Sequence, residues 1–455
     1  LSPTLSPTLS PSLSPTLSPT LSPTLSPTLS PTLSPSLSPT LSPFRCGLEG
    51  DVCGRLFPEC CEGYTCSNFV EGECVLGEPG LLYTWGAPQS AGLDTSLDLL
   101  VPVDIQELVF NVSAGTNYTL VILSNRFAAV SGYIESLNAY EGHFGVETNV
   151  TTGVNTLQRI LSVANVAGLT VSAPQFSQLF AGVEDVEGSG RMHSVFIDTN
   201  GNVYATGYNA RGQLCLGDEE SRTLPWQISL PPNERAVSAA VGREFTLILS
   251  SSGMLYGCGS NQFGQLGLGN NVLETFTPAV IDGNGLSEVK SMFVGQDHSL
   301  LGTENGLYVM GRNTYGQLCS DTGGILISTP TLLENSGSFT KFAAGSQSTY
   351  ILRENGRVGA CGLNDVGQLG DGSNSDSFGT RVSKDNIIDV FAGPSAKSAF
   401  FVGIDRKIYG TGLNDRGQLG VGDKNNRNVP VKVEFSDSMT IGDSVSASDS
   451  HTLSW

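Results

Sequence analysis

Cysteine is the residue whose number and spacing in this chain point most directly to chemistry. The chain has 455 residues and ten cysteines. The first group follows the spacing C-x6-C-x6-C-C-x4-C-x7-C, at Cys46, Cys53, Cys60, Cys61, Cys66 and Cys74. A zinc site would use paired C-x2-C elements and often histidine, which this segment lacks. A segment this short cannot bury a sufficient apolar core, so we expect three disulfides, although spacing alone leaves fifteen pairings open.

Serine, threonine and proline form a second group with chemical potential. Residues 1–43 repeat Leu-Ser-Pro-Thr, and only Ser12 and Ser36 replace Thr in the ten complete units. Serine–threonine tracts rich in proline are typical of O-glycosylated stalks, and proline hydroxylation would add attachment points. The candidate positions in the first five units are Ser2, Pro3, Thr4, Ser6, Pro7, Thr8, Ser10, Pro11, Ser12, Ser14, Pro15, Thr16, Ser18, Pro19 and Thr20.

Histidine and the acidic residues show no pattern typical of an active site. His193, His298 and His451 recur at one position of a sequence repeat, which indicates core architecture. The run from Asp198 to Asn202 resembles part of a calcium loop, yet it coincides with a predicted hairpin turn and lacks the distant glutamate. We therefore predict no catalytic residue, no cofactor site and no metal site, and no enzymatic activity.

Composition limits the partners of this chain. Lys and Arg number 23 against 43 Asp and Glu, which gives a net charge of −20. Nucleic acid is an unfavourable partner because binding to phosphates needs clustered Lys and Arg. No uncharged apolar run is long enough to span a membrane, so we expect a soluble folded part. The sequence starts at Leu1 within a repeat and without Met, which we interpret as a processed product or a fragment.

The elements that carry these residues follow a second, longer repeat. Gly-Gln-Leu recurs at intervals of 52, 52, 51 and 50 residues, beginning at Gly212, Gly264, Gly316, Gly367 and Gly417. Each copy follows a strand, a turn and a second strand, and the turn is often Asn-Gly. Such a period indicates a repeat architecture, and Asn-Gly between apolar runs predicts a β-hairpin. Each repeat is therefore expected to form one blade of antiparallel strands.

The motif Tyr-Gly-x-Gly-x-Asn-x-x-Gly-Gln-Leu-Gly-x-Gly is nearly complete from Tyr256 to Gly269. It resembles the regulator of chromosome condensation family of seven-bladed propellers. Weaker copies at Gly142–Gly145 and Gly92-Leu93 bring the repeats to seven. The resemblance implies an all-β fold with a seven-bladed β-propeller over residues 79–455. Nuclear members of that family exchange nucleotide on a small GTPase and bind chromatin, but we do not expect either activity from this acidic chain.

Two irregularities in the repeat predict further features. An insertion falls near residues 151–174, and the apolar spacing from Asn155 to Gly168 predicts a short helix there. The segment from His451 to Trp455 matches one strand of a blade, and Gly80–Gly86 matches the next. The two ends are therefore predicted to complete one blade and close the ring. Exchange of the closing strand between molecules would instead make a polymer, but closure within one chain is entropically easier.

The four remaining cysteines occupy equivalent positions in alternate repeats. Cys215 and Cys319 each follow a Gly-Gln-Leu, whereas Cys258 and Cys361 each lie in the Gly-Cys-Gly of the next repeat. The offsets within the two pairs are 43 and 42 residues. We therefore predict inter-blade disulfides between Cys215 and Cys258 and between Cys319 and Cys361. Buried free thiols are the alternative.

Three sequons, at Asn111, Asn117 and Asn149, predict N-glycosylation in the first blades. A single match is weak evidence, but the three cluster in the least regular part of the propeller. Disulfides and N-glycans both require the secretory pathway. The expected location is therefore secreted, extracellular or at the cell surface.

The two N-terminal segments resemble other families. The adjacent Cys60-Cys61 makes residues 44–78 similar to the inhibitor cystine knots. That resemblance implies the pairs Cys46–Cys61, Cys53–Cys66 and Cys60–Cys74. A rigid spacer is favoured over a toxin-like role because the module lacks a basic face and is tethered at both ends.

Residues 1–43 resemble the hydroxyproline-rich glycoproteins of algal and plant walls and flagellar hairs. Proline at every fourth position fixes φ and removes a donor, which favours an extended polyproline II arm. A plain flexible linker is the alternative.

Together these features predict a secreted structural glycoprotein. We expect the glycosylated arm and the propeller head to self-associate into a homopolymeric fibre or coat, with covalent glycans. The alternative is an extracellular propeller that binds a glycan or a protein and is displayed on a glycosylated stalk.

Overall fold

The computed structural model describes residues 64–66, 74–76, 80–87, 99–132, 154–184, 191–283, 285–321, 324–334, 338–435 and 444–455. The predicted arm, the knot-like cysteine pairings and Asn149 lie outside the described residues. Within the segment of the predicted cystine module, strands β1 (Tyr64–Cys66) and β2 (Cys74–Leu76) form an antiparallel hairpin with Cys66 opposite Cys74.

The remainder of the described chain is a ring of β-strands. In chain order these are β3 Gly80–Gly86, β4 Leu99–Ala114, β5 Tyr118–Leu123, β6 Ala128–Gly132, β7 Val154–Arg159, β8 Ser162–Ala164, β9 Thr170–Ser172, β10 Phe176–Ala181, β11 His193–Asp198, β12 Val203–Gly207, β13 Arg222–Gln227, β14 Ala236–Val241, β15 Phe245–Ser250, β16 Leu255–Ser260, β17 Glu274–Val280, β18 Val289–Val294, β19 His298–Thr303, β20 Gly306–Arg312, β21 Leu326–Leu332, β22 Phe339–Ala344, β23 Ser348–Arg353, β24 Val358–Gly362, β25 Ser377–Lys384, β26 Ile387–Phe391, β27 Ser398–Gly403, β28 Ile408–Gly412, β29 Arg427–Lys432, β30 Val445–Ala447 and β31 His451–Ser454.

These strands form seven antiparallel blades. Blades 3 to 6 are the consecutive sets β14–β17, β18–β21, β22–β25 and β26–β29, and blade 2 is β10–β13. Blade 1 contains the last part of β4 with β5, β6 and β7. Blade 7 contains β30, β31, β3 and the first part of β4. The first strand of each blade contacts the first strand of the next in a closed circle, so these strands surround the centre of a propeller.

The core lies between adjacent blades. The second strands β11, β15, β19 and β27 are buried at every position. A strand that is buried on both faces has apolar residues at nearly every position, which explains sequences such as Phe-Thr-Leu-Ile-Leu in β15. Phe196, Phe245 and Phe400 on these strands are fully buried.

The two ends of the described propeller close the ring. Strand β3 pairs with β31 from Tyr83 opposite Ser454 to Gly86 opposite His451. Because β4 pairs with β3 at its start and with β5 at its end, blades 7 and 1 share one long strand. The chain therefore passes without a break from the fourth strand of blade 7 into the first strand of blade 1.

The predicted helix from Asn155 to Gly168 was wrong. Strand β7 pairs with β6, and β8 pairs with β9 around a turn in which Gly168 has φ of +74°. Asn165 Oδ1 accepts hydrogen bonds from the backbone N–H groups of Ala167 and Leu169. A side chain that satisfies the backbone of a turn competes with the helix. The apolar spacing was misleading because Leu161 is exposed while Ile160 and Val163 are buried.

No α-helix is assigned within the part of the chain that the structure describes. Among these residues, accordingly, no helix is long and apolar enough to cross a membrane.

Candidate functional site

The repeated Asn and Gln side chains are used inside their own loops. Asn261 Oδ1 accepts from the Leu266 N–H at 2.9 Å, and Gln265 Oε1 accepts from the Phe263 N–H at 2.9 Å. The Asn261 amide donates to the carbonyls of Gly269 and Val272. The corresponding Oδ1 contact recurs at Asn209, Asn313, Asn364 and Asn414. These motif residues hold the loop between the third and fourth strands and leave little capacity for a ligand.

The carbonyls of four of the five motif glutamines join their blades to the next. Thr246 Oγ1 donates to the Gln213 carbonyl at 2.8 Å, and Thr349 Oγ1 donates to the Gln317 carbonyl at 2.6 Å. Ser299 and Thr452 make the same contact with Gln265 and Gln418. These bonds place a hydroxyl donor opposite a buried carbonyl at successive blade junctions.

The three repeated histidines strengthen these junctions. His193, His298 and His451 direct Nε2 at Thr246, Thr349 and Thr119 of the next blade, at 2.7 to 3.2 Å. Since Thr246 and Thr349 donate their protons to glutamine carbonyls, His193 and His298 donate from Nε2. Burial lowers the histidine pKa values to about 3, 4 and 3 respectively. Neutral, fully buried imidazoles of this kind have a packing role.

The structure forms disulfides at the two equivalent blade junctions, between Cys215 and Cys258 and between Cys319 and Cys361. The Cα atoms are 5.4 Å apart in both pairs, within the range that a disulfide requires. Cys215 and Cys319 have φ of +59° and +52°, at a position where other repeats carry glycine. Blades 2 and 3, and blades 4 and 5, are therefore covalently joined.

A ring of loops surrounds one end of the central channel. It is formed by the loops between the first and second strands, and we call it the loop ring. Backbone bonds link Arg243 to Gln296, Gln296 to Ser346 and Ser346 to Ala396. Further contacts join Lys397 to Asp449, Ser450 to Thr116 and Glu184 to Thr116. The ring holds neighbouring blades in register and fixes the position of the side chains on it.

Among its described residues, the loop ring carries a concentrated group of charges around Asp297. Asp297 is 3% exposed and accepts from Arg243 Nη2 at 2.8 and 3.0 Å and from Arg312 Nη1 at 3.4 Å. The pKa of the Asp297 carboxyl is raised, because the effect of burial exceeds the lowering by the two guanidinium groups. Arg312 also lies 4.9 Å from the Phe263 ring centroid and 6.0 Å from that of Tyr315. We call these five residues the arginine cluster.

The arginine cluster is suited to binding an anionic or a polyhydroxyl group. Two guanidinium groups face one carboxylate within the arginine cluster. Both arginine side chains are partly exposed, and two aromatic rings lie beside Arg312. Guanidinium groups donate in a planar fork, and aromatic faces attract cations. Sequence reasoning missed this site because its residues come from four loops and the end of β20, spread over two blades.

Other candidate residues have structural surroundings. The Asp198 carboxylate accepts from the N–H groups of Asn200 and Asn202, which closes the hairpin turn as expected. Within the described ranges, no group of three or more His, Cys, Asp or Glu residues could hold a metal ion. Asn111 is half-buried within β4 opposite Ile122, whereas Asn117 lies in the turn between β4 and β5. A glycan on Asn117 would stand beside Thr116 of the loop ring.

Comparison with known proteins gives a consistent family. A family model described as the RCC1-like domain matches residues 170–455. Protein RCC2 of Mus musculus is 31% identical over 225 residues, which covers 44% of this chain and 43% of that protein. The ultraviolet-B receptor UVR8 of Arabidopsis thaliana is 33% identical over 191 residues, which covers 41% of this chain and 43% of that protein. Each match therefore spans less than half of the relative.

The fold also matches a solved structure over nearly the whole length of that structure. The crystal structure of human WBSCR16 aligns with a TM-score of 0.66 at 19% identity, covering 83% of this chain and 99% of that chain. An identity this low shows a shared propeller fold alone.

Proposed function

The chain belongs to the RCC1-like domain family, and from this premise we propose that it is a secreted structural glycoprotein that assembles into an extracellular fibre or coat. The propeller serves as the head of the assembly unit, and the Leu-Ser-Pro-Thr array of residues 1–43 serves as a glycosylated arm. In this proposal the protein has no catalytic role.

The observation that carries the proposal is the pair of disulfides at equivalent blade junctions. Structural disulfides persist in oxidising compartments and are rare in the cytosol and nucleus. The acidic composition and the sequon at Asn117 support the same location. Buried histidines and internally bonded motif residues leave the repeat with an architectural role.

The array supports the assembly part of the proposal. Its ten complete units present hydroxyl groups for sugars and leucines for contacts with protein. A lone arm in water gains nothing from exposed leucines, since apolar surface is stabilised only by burial. Burial against other subunits would explain why leucine returns in every unit.

Native extracellular material tests the proposal. Mass mapping without reduction should recover both inter-blade disulfides, and electron cryomicroscopy should show ordered heads in a polymer. A chain that lacks Leu1 to Thr40 should remain a folded, soluble propeller and lose assembly. Free thiols at all four cysteines would contradict the location, and fibres from the shortened chain would contradict the role of the array.

The arginine cluster favours a second candidate function, the binding of an acidic glycan or protein to the loop ring. Replacing Arg312 with Gln in the full-length chain should then weaken binding to a sulfated or carboxylated glycan array without affecting assembly, because Asp297 keeps both of its hydrogen bonds from Arg243. Unchanged glycan binding in that variant would exclude the arginine cluster as the binding site.

A further inference from the structure

Blade 2 carries a hairpin that extends its sheet beyond the fourth strand. Strand β8 pairs in parallel with β13 through Ala164 opposite Trp226, and β9 pairs antiparallel with β8. We call residues 161–172 the insertion hairpin. In the described part of the chain, β9 has no strand on its second side. An unpaired edge presents N–H and C=O groups to which another extended chain can bind.

The insertion hairpin exposes apolar side chains beside that edge. Leu161, Val166, Leu169 and Val171 are 74%, 65%, 64% and 43% exposed. Val163 within the hairpin and Ile160 just before it are buried in the core, so these four exposed side chains are additional to the hairpin's core contacts. Large apolar side chains grouped on a solvent-exposed edge are typical of a contact site.

The surface continues into a shallow pocket. Val166 lines it together with Gly201 and Gln227 of blade 2 and with Leu230, which follows β13. The turn is supported from below, since a Cβ on Gly168 would lie 3.1 Å from the Trp226 ring. A bound segment would thus find a strand edge, exposed leucines and a small recess on one side of the propeller.

We propose that the β9 edge binds the Leu-Ser-Pro-Thr array of a second copy by strand addition. This inference rests on the proposed assembly and names the surface through which it occurs. In an extended strand, alternate residues direct their N–H and C=O groups to the same side. A period of four therefore directs the backbone N–H and C=O groups of every Ser and Thr to one side of the strand. The backbone groups of every Leu and Pro are directed to the other side.

This arrangement suits an edge strand that contains proline. When Ser and Thr pair with β9, each proline faces away from the sheet, where its missing N–H is not needed. Shifting the array by one residue would direct proline at β9 and lose donors, so the pairing selects one phase of the repeat.

The side chains of the array separate in the same way. Leu and Pro fall on one face of the strand, with leucines about 13 Å apart, while the hydroxyls fall on the other. The apolar face can contact Leu161, Leu169 and Val171, and the hydroxyl face can carry sugars. The array has no charged residue, so the segment that contacts β9 adds no like-charge repulsion at the contact itself.

Site-specific photo-crosslinking of the full-length protein tests this contact. A benzophenone amino acid replaces Val171, and the control variant carries it at Val429 in β29, which is 47% exposed on the fourth strand of blade 6. Assemblies are made from equal amounts of ordinary and ¹⁵N-labelled chains. The tryptic fragment that ends at Arg45 contains the whole array, so its adducts are identified by mass.

The expected result is crosslinking of the array fragment to residue 171 of a differently labelled chain. The control variant with the benzophenone amino acid at position 429 should give no such crosslink. Crosslinks confined to one chain would overturn the second-copy assignment. Absence of array adducts at position 171, or equal adducts at both positions, would overturn the binding site.

A separate measurement distinguishes this contact from the assembly itself. Sedimentation of the Leu161→Ser, Leu169→Ser double variant should show loss of polymer, whereas Leu273→Ser, at another exposed leucine, should retain it. If the wild type polymerises and the double variant does so equally, the contact is wrong and the proposed function stands. If the wild type never polymerises, the proposed function fails and the contact with it.

Discussion

One position on the second strand supplies the hydroxyl that joins four of the blades to the previous blade. Most blades place Ser or Thr there, but blade 6 carries Ala399, which has no donor. The Gln368 carbonyl therefore accepts no hydrogen bond from position 399. It accepts one from the Tyr350 hydroxyl instead, at 2.8 Å. Tyr350 is fully buried, so this substitute bond forms away from water.

The Tyr350→Phe change should destabilise the propeller by about 1–3 kcal/mol, because it leaves the buried Gln368 carbonyl without its tyrosine donor. Denaturant unfolding of the full-length protein would measure the loss. Adding Ala399→Ser to that variant should recover part of it, since serine supplies the donor found in other blades. Equal stability of wild type and Tyr350→Phe would show that the bond contributes nothing.

The buried histidines predict a fall in stability with acid. Their pKa values lie near 3, 4 and 3 in the fold against 6.5 in the unfolded chain, so the unfolded state binds more protons below pH 6.5. Stability should therefore decrease as the pH drops from about 6.5 toward 4, by about 2 kcal/mol per histidine at pH 5.

Urea unfolding at pH 7 and pH 5 would measure this dependence. A His298→Gln variant should show a shallower decrease than the wild type, since one titrating group is gone. Parallel pH profiles for the two proteins would contradict this account of His298.

At the scale of the element, the same pair of positions at a blade junction holds either two bonded cysteines or a glycine and a threonine. The position of Cys215 is occupied by Gly370 in blade 5, and that of Cys258 by Thr411 in blade 6. Glycine suits the positive φ there, and a Cβ on Gly370 would lie 3.2 Å from Thr411. One junction geometry thus supports either a disulfide or plain packing.

The double change Cys215→Gly and Cys258→Thr copies the natural Gly370–Thr411 junction and removes only the cross-link. It should lower the free energy of unfolding by about 4 kcal/mol through the chain entropy of the opened loop. Guanidinium unfolding would measure the loss, with the equivalent change at Cys319 and Cys361 as a matched comparison. An unchanged midpoint would show that the cross-link does not stabilise the propeller.

At the scale of the whole molecule, the ring depends on a closure between distant parts of the chain. Strand β31 lies between β30 and β3, and His451 also reaches Thr119 of blade 1. Blade 7 therefore combines strands from the two ends of the described propeller. The pairing of β31 with β3, and not a loop, holds these strands together.

Deleting residues 451–455 should abolish the single cooperative unfolding transition, because blade 7 loses its second strand and blade 1 loses a histidine contact. Calorimetry together with limited proteolysis around Gly80–Gly86 would detect the opened ring. Deletion of Trp455 alone leaves the strand in place and serves as the control. A cooperative transition in the longer deletion would contradict the importance of closure.

The sequence by itself determined the features that depend on local patterns. The Gly-Gln-Leu period, the Asn-Gly turns and the cysteine offsets predicted blades and their order, and the family match agrees with a propeller. Periodic signals of this kind survive in a single chain because every blade repeats the same packing.

Only the tertiary structure decided what happens where the repeat breaks. The segment from Asn155 to Gly168 became a strand, a turn and part of a second hairpin, because a neighbouring blade offered a strand edge that local spacing cannot reveal. The arginine cluster likewise joins residues from two blades, and the Tyr350 substitute bond joins a strand of blade 5 to a loop 18 residues away in sequence. Their energies depend on burial and on distances between segments far apart in sequence, which no local pattern encodes.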